Sequence, residues 1–126
     1  MRAVAAAIAL TLSGAAYADA PAASSPYAAI EGEWSVDLRP SLSDAPYSKD
    51  MVLKVASDRS VTGTFYDSDI LAGRSGTGQG RSCVAFRTTD GSGFYHSSAC
   101  LMDGKMVGMT WAEGRNFVLP WTATRK

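Results

Sequence analysis

Both cysteines and the only histidine of this 126-residue chain fall in one stretch, RSCVAFRTTDGSGFYHSSAC, residues 81–100. A cysteine thiolate beside an imidazole can act as a nucleophile with its base, and the two residue types together can hold zinc. In an exported protein, two cysteines in a small domain more often pair as a disulfide. The cellular compartment and the strand register decide among these chemistries.

The N-terminus predicts export. Arg2 gives a short positive start, AVAAAIALTL is an apolar run too short to span a bilayer, and AYA at 16–18 is a small-x-small cleavage site. We therefore predict a signal peptide over residues 1–18, cleaved after Ala18, and a periplasmic or secreted protein. Removal of the signal peptide leaves 108 residues with a formal charge of −1, since Arg2 is lost and no acid precedes Asp19. This charge gives no reason to expect nucleic acid or an anionic membrane surface as a partner. No later apolar run is long enough for a membrane span.

Turn chemistry predicts the register of the hairpin that carries both cysteines. Gly91-Ser92 suits a two-residue type II′ loop, because glycine at the first central position accepts a positive φ. Counting outward from this loop places Cys83 directly opposite Cys100, in a non-hydrogen-bonded pair. Such pairs have Cα atoms about 4.5 Å apart, within the range that a disulfide can bridge. The sequence therefore predicts a cross-strand disulfide.

The same register separates the histidine from the thiols. His96 is four residues from Cys100 along one strand, about 13 Å at ~3.3 Å per residue, which is beyond the reach of proton transfer. A Cys-His dyad within the hairpin is excluded, and one histidine beside a paired couple of cysteines is a poor set of metal ligands. No acid and nucleophile are evident beside His96. We predict a non-enzymatic protein without a metal or a cofactor.

The rest of the chain alternates between strand patterns and turn signals. Residues 19–30 are small, polar and proline-bearing, which is typical of a disordered lead-in, and residues 31–126 form one predicted domain. MVLKVAS and VTGTFYD predict a hairpin with a three-residue loop at 58–60, which would place Leu53 opposite Phe65. Asp103-Gly104 is a type I′ turn signal. The glycine-rich LAGRSGTGQGRS lacks the spacing of a phosphate loop and is predicted to be a flexible loop.

Seven or eight short strands in mostly consecutive hairpins predict an all-β fold, an up-and-down antiparallel barrel. An open barrel and a β-sandwich are the alternatives. Gly32-Glu33-Trp34 opens the first strand, and Arg125 lies at the end of the last. The first and last strands of a closed barrel are neighbours, so the Arg125 guanidinium could stack on Trp34 and close one end. Pro120 in the last strand implies a bulge or a locally open edge.

G-x-W at 32–34 together with Arg125 resembles the calycins, the superfamily of lipocalins, fatty-acid-binding proteins and avidins. In that superfamily a basic residue from the last strand packs across the G-x-W tryptophan. The VTGTFYDS hairpin and the tryptophan-bearing segments MTWAEG and FVLPW look more like the avidin branch or a short bacterial calycin. The residues that contact biotin in avidins are not matched, since SVDLRPS follows the G-x-W tryptophan and Phe65 follows T-G-T. The resemblance implies a ligand-binding barrel. It also implies an alternative, a periplasmic protease inhibitor that acts through its N-terminal segment.

Two hairpin faces compete for the interior of the barrel. A two-residue final loop places Phe117, Leu119 and Trp121 on the face of Tyr95, around a small apolar cavity edged also by Ser97 and Thr110. A three-residue loop places the same three residues on the other face, where a polar-tipped pocket for an anionic or aromatic ligand would form. That pocket would be lined by Arg87, His96 and Trp111. Across both alternatives, the candidate ligand-binding residues are Arg87, His96, Trp111, Tyr95 and Trp121.

The sequence therefore predicts an exported, non-enzymatic β-barrel that binds a small apolar or aromatic ligand. Whichever face lies outside still exposes aromatic and methionine side chains, which predicts a homo-oligomer or a protein partner. The interaction-protein alternative would use residues 19–31 as its inhibitory segment.

Overall fold

The structure is a computed structural model, and it describes residues 27–126. The predicted signal peptide and most of the predicted lead-in lie outside the described residues. Nine strands follow one another: β1 (Gly32–Asp37), β2 (Ser48–Val55), β3 (Ser60–Phe65), β4 (Ser68–Asp69), β5 (Leu71–Gly78), β6 (Arg81–Thr89), β7 (Phe94–Met102), β8 (Lys105–Ala112) and β9 (Phe117–Arg125). The part of the chain that the structure describes has no helix long and apolar enough to cross a bilayer.

Eight of these strands close into an antiparallel up-and-down barrel. Each strand pairs with its neighbours in the chain, β1 also pairs with β9, and the pairing of β2 with β3 completes the ring. β4 is a two-residue addition to the end of β3. The predicted all-β barrel and its closure between the first and last strands are confirmed.

The core fills one half of the barrel. Alternate residues of each strand point inward, because successive side chains of a strand lie on opposite faces. The cluster of buried apolar residues includes Ile30, Trp34, Val36, Met51, Leu53, Val61, Phe65, Val84, Phe86, Met106 and Trp121. Ile30 comes from a turn at residues 27–30, so the last residues of the predicted lead-in take part in the fold.

The predicted disulfide is confirmed. Cys83 and Cys100 are opposite one another in the β6–β7 ladder, with Cα atoms 4.0 Å apart and an S–S bond of 1.98 Å. Their chain neighbours Val84 and Ala99 are buried, so the cysteines lie on the outer face of the hairpin. The bridge therefore links two strands without occupying the interior.

Trp34 and Arg125 close one end of the barrel as predicted. The two residues face one another across the β1–β9 ladder, and the guanidinium carbon lies 4.4 Å from the centre of the indole. Arg125 donates one hydrogen bond of 2.6 Å to the carbonyl of Glu31 and another to the carbonyl of Ala29. The indole N–H of the fully buried Trp34 donates to the carbonyl of Ile30 at 3.0 Å. This set of contacts defines the closed end.

The register predicted for the β2–β3 hairpin is wrong by two residues. Leu53 faces Gly63 rather than Phe65, and the loop comprises residues 57–59. Arg59 takes the left-handed conformation at φ 71°, while the Asp58 carboxylate accepts hydrogen bonds from the backbone N–H and the hydroxyl of Ser60. A shift of two preserves side-chain parity, so the same residues of each strand still face the core.

The prediction of a flexible glycine-rich loop is also wrong, because most of that stretch is β5. Its backbone groups pair with β3 and β6, with a register shift between Leu71 and Arg74 that marks a bulge. Small residues weaken a strand but do not prevent pairing, since the ladder is made by the backbone. Gly73 has a positive role, because a Cβ there would lie 2.2 Å from the carbonyl oxygen of Val61 on β3.

Pro120 lies where the β1-facing edge of β9 is open, and β9 has no bulge there. The β8–β9 register is unbroken through its pairing with Met109, whereas the β1–β9 ladder ends at the pair Asp37 and Thr122. Alternation of hydrogen-bonded pairs outward from the 4.0 Å cysteine pair directs the Pro120 nitrogen away from β8. Its missing N–H therefore falls where β9 has no partner.

A candidate ligand cavity at the open end

The final hairpin decides which face is interior. Ala112 faces Phe117 across β8 and β9, which is the register of the two-residue alternative, although residues 113–116 all lie outside the strands. Tyr95 and Trp121 therefore point inward, and Arg87, His96 and Trp111 point outward. The alternative that put these last three residues in the interior does not occur.

A cavity of about 410 Å³ opens at the end of the barrel opposite Arg125. Its size falls in the range of small-molecule pockets, roughly 300–1,000 Å³. Its walls come from loops and strand ends at that end of the barrel: Leu38, Tyr47, Phe65, Tyr66, Asp67, Ser68, Thr88, Asp90, Tyr95, Thr110, Arg115, Phe117 and Leu119. Aromatic and aliphatic side chains provide most of the surface, and the charged residues belong to loops and turns at the rim.

Hydroxyl groups lie on the inner wall beneath the aromatic side chains. Thr110 on β8 and Ser97 on β7 are opposite one another, and their hydroxyl oxygens are 2.7 Å apart. The indole N–H of Trp121 donates to the Thr110 hydroxyl at 2.9 Å. Thr88 on β6 is only 4% exposed and also lines the cavity. The inner wall is thus polar but uncharged.

One side of the rim is an ordered polar cluster. Asp90 accepts hydrogen bonds from the backbone N–H of Ser92 at 2.9 Å and from the Tyr95 hydroxyl at 2.8 Å. These bonds, in that order, hold the pKa of Asp90 below its usual value, and Arg115 lowers it further through its charge. Burial, followed by the hydrogen bond to Asp90, raises the pKa of Tyr95. Arg115 lies 3.5 Å from the same carboxylate.

Two tyrosines form another part of the rim. The hydroxyls of Tyr47 and Tyr66 are hydrogen-bonded, their rings meet edge to face at 6.3 Å, and the Lys49 ammonium lies 4.9 Å from the Tyr66 ring centre. Tyr66 and Asp67 both have positive φ angles, 54° and 64°. Left-handed conformations are costly for residues other than glycine and tend to cluster at functional sites. Two adjacent rim residues therefore hold backbone conformations that favour glycine.

The outward row forms a cluster of its own. Arg87, His96 and Trp111 are contiguous across three strands, as the predicted registers require. The His96 and Trp111 rings stack 5.0 Å apart, and the imidazole Nε2 lies 3.0 Å from a carboxylate oxygen of Glu113. Arg87 packs over Phe94, with its guanidinium carbon 5.1 Å from the ring centre. None of these residues lines the cavity.

Of the five candidate ligand-binding residues, only Tyr95 lines the cavity. Trp121 points inward but belongs to the packed core, where its indole N–H donates to the cavity-lining Thr110. Sequence reasoning named Thr110 as an edge of an apolar cavity but missed Thr88, Asp90 and the tyrosine pair at the rim. Parity with Phe86 would have placed Thr88 inside, whereas the tyrosines come from a loop and a turn that give no register signal.

The described residues offer no cluster of metal ligands. Across residues 27–126, no three histidine, cysteine, aspartate or glutamate side chains come together in a way that could hold a metal ion.

Comparison of the chain with protein-family models, with curated proteins and with solved structures gives no match. The likeness to calycins therefore rests on the closed barrel and on the Trp34–Arg125 contact.

Proposed function

We propose that this protein binds a small apolar or aromatic molecule in the cavity at the open end of its barrel. The observation that carries the proposal is a 410 Å³ space lined by aromatic and aliphatic side chains, in a barrel whose other half is packed. A small eight-stranded barrel either fills its interior with side chains or holds one small ligand. An N-terminus typical of a signal peptide and a disulfide both support an exported protein.

We infer binding rather than catalysis from the position of the candidate catalytic groups. The one histidine of the chain stacks on Trp111 and pairs with Glu113 on the outer face. It is therefore separated from the cavity by the barrel wall. Within the cavity, the hydroxyl-bearing side chains have no histidine or lysine among the lining residues to act as their base.

The test is a fluorescence titration of the purified protein with aminoanthracene, an uncharged aromatic probe whose emission rises in apolar surroundings. We expect saturable binding of one probe per chain. Phe117→Glu places a charge at the cavity mouth and should abolish this binding. Trp111→Glu is the matched control, because Trp111 is 45% exposed and Phe117 43% exposed, on opposite faces of the barrel wall. Binding that is lost in Trp111→Glu but kept in Phe117→Glu would contradict the cavity assignment.

A second candidate function is protein association through the outer face of β8 and β9. This face exposes a continuous group of large apolar side chains, Val107, Met109, Trp111 and Val118, each more than two-fifths exposed. Exposed apolar patches of this kind mark interaction sites. Sedimentation of wild type and Met109→Ser tests it, since an oligomer held by this face should dissociate in the variant. If wild type and Met109→Ser both sediment as monomers, self-association through this face is excluded, and its partner would be a different protein.

The protease-inhibitor alternative would use the other end of the barrel. Residues 19–26 lie outside the described residues, and the chain enters the fold at Tyr27, which packs against Arg59 at the closed end. An inhibitory N-terminal segment would therefore extend from the end opposite the cavity. Removal of residues 19–26 should abolish inhibition of a target protease while leaving aminoanthracene binding intact.

A further inference from the structure

We propose that the ligand enters with an uncharged oxygen acceptor, such as a ketone or a hydroxyl on an aromatic body, directed at the hydroxyls of Thr88 and Thr110. This inference rests on the proposed function and names the ligand class for the same cavity. It depends on three features: an unpaired hydroxyl, a surplus of hydrogen-bond donors on the inner wall, and the confinement of charge to the rim.

Thr88 provides the unpaired hydroxyl. The residue lines the cavity and is only 4% exposed, and its hydroxyl has no hydrogen-bond partner in the part of the chain that the structure describes. It lies on the inner face of β6, two residues after the buried Phe86. Within residues 27–126 no fully buried side-chain polar atom lacks a partner, so the unpaired Thr88 oxygen is not sealed in the core but is accessible from the cavity. A ligand oxygen in the cavity would satisfy it.

The hydrogen-bond count around Thr110 supplies a second donor. Three protons are available to the group, one each from the Trp121 indole, the Ser97 hydroxyl and the Thr110 hydroxyl. The two contacts within the group use two of these protons, since Trp121 donates to Thr110 and one hydroxyl donates to the other. When Ser97 is the donor of that pair, the Thr110 proton is left over. Thr110 lines the cavity whereas Ser97 does not, so this proton is available to a ligand acceptor.

The inner wall excludes a charged group. The charged residues among the cavity walls are Asp67, Asp90 and Arg115, and all three are exposed in loops or turns. Asp90 and Arg115 already lie 3.5 Å apart. Burying an ionised ligand group against two threonines would leave its charge unpaired, which is far more costly than burying a neutral one. Any charge on the ligand should therefore lie outside, near the rim.

The middle of the cavity selects an apolar body. Phe65, Leu38 and Leu119 line this region, and Phe65 packs against the buried indole of Trp121 at 5.7 Å between ring centres. Aromatic and aliphatic walls favour rings in offset or edge-to-face contact. The cavity thus combines hydroxyl donors and apolar walls with charged and phenolic groups at its rim.

The experiment uses Prodan, an uncharged naphthyl ketone, and its analogue in which the ketone is replaced by a methylene. The variant Thr88→Val removes the hydroxyl and keeps the shape, and Thr122→Val does the same on the outer face as a matched control. We expect Thr88→Val to weaken Prodan binding about fivefold to tenfold, the effect of one hydrogen bond, and Thr122→Val to leave it unchanged. The methylene analogue should bind wild type and Thr88→Val equally.

A second pair of variants tests Thr110. Thr110→Val removes the acceptor of Trp121 as well as the donor to the ligand, so its folding is checked by thermal unfolding, and Thr110→Ser keeps the hydroxyl. We expect Thr110→Ser to retain Prodan binding, and a folded Thr110→Val to lose it by a similar factor. Anilinonaphthalene sulfonate, a charged probe of similar size, should bind wild type more weakly than Prodan.

Two results would overturn the inference. One is equal Prodan affinity in wild type, Thr88→Val and a folded Thr110→Val, with the methylene analogue binding as tightly as the ketone. The other is tighter binding of the sulfonate probe than of Prodan. In either case the proposed function would stand if aminoanthracene still binds in a manner that depends on Phe117. Loss of that dependence would instead refute the cavity as a ligand site.

Discussion

Replacement of Arg125 by alanine is the most direct test of how the barrel closes. The substitution removes a guanidinium that lies 4.4 Å from the centre of the Trp34 ring and donates to the carbonyls of Ala29 and Glu31. These contacts tie the last strand to the first strand and to the turn that precedes it. The Trp34 side chain joins the same three segments from within, since its indole N–H donates to the Ile30 carbonyl.

The magnitude follows from the environment of each contact. A cation–π pair is worth about 0.5–1 kcal/mol when exposed and about 2 kcal/mol when desolvated; here Trp34 is fully buried but Arg125 is exposed, which places the pair between these limits. The two carbonyls can be partly rehydrated, so their bonds add less than the full value. We expect Arg125→Ala to lower the free energy of unfolding by about 2 kcal/mol, and the melting temperature of a domain this small by roughly 8 to 16 °C.

Urea unfolding followed by far-ultraviolet circular dichroism measures this loss without relying on the fluorescence of Trp34. Arg81→Ala is the control, because Arg81 is exposed and its side chain makes no hydrogen bond or ion pair within residues 27–126. The stability of Arg125→Lys should fall between those of wild type and Arg125→Ala. An ammonium keeps the charge, but it lacks the planar guanidinium that donates from two nitrogens. Equal midpoints for Arg125→Ala and Arg81→Ala would refute the role assigned to this residue in closure.

Three further outcomes follow from the fold. Reduction of the disulfide, which spans 17 residues of chain, should cost about 3 kcal/mol by the chain-entropy estimate, and an unchanged melting point under reductant would contradict it. Gly73→Ala should destabilise by about 1 to 3 kcal/mol in a urea titration, as overpacking commonly does, because its Cβ would overlap the Val61 carbonyl at 2.2 Å; wild-type stability would show that β3 and β5 can separate freely. The lowered pKa of Asp90 stabilises the fold above the usual value of 3.8, and this contribution is lost as the pH falls through the lower folded pKa. Urea midpoints of wild type and Asp90→Asn should therefore converge in acid, and a constant difference would show that the carboxylate is not linked to folding.

Register was predictable wherever the turn residues specify the backbone. Gly91-Ser92 and Asp103-Gly104 fix two-residue loops, and the pairs counted from them, including Cys83 with Cys100, are found in the structure. Closure was predictable for a different reason, because Trp34 and Arg125 can meet only if the first and last strands are neighbours. In both cases a few residues constrain the backbone strongly.

Prediction failed where the constraint is tertiary. The β2–β3 loop lacks a glycine, so nothing in the sequence shows that Arg59 takes the left-handed position, and the register was displaced by two residues. β5 has almost no apolar side chains, and it is a strand because both neighbours offer it backbone partners. The prediction of which face is interior depended on the length of the loop between β8 and β9, since a change of one residue in that loop exchanges the two faces of β9.

The cavity itself follows from the sizes of residues that share the inner face. Toward the closed end, the inner positions carry Trp34, Met51 and Met106, and these are fully buried. Toward the open end, the corresponding positions of β6 and β8 carry Thr88 and Thr110, which are short and bear hydroxyls. Because an eight-stranded barrel is just wide enough for side chains to fill it, short residues at these levels leave a space that larger apolar residues would close. Thr88 and Thr110 are both short and polar, so the same two residues leave the volume for a ligand and provide the donors that would orient it. The packing that they do not contribute at the open end is provided by the large side chains of the closed end.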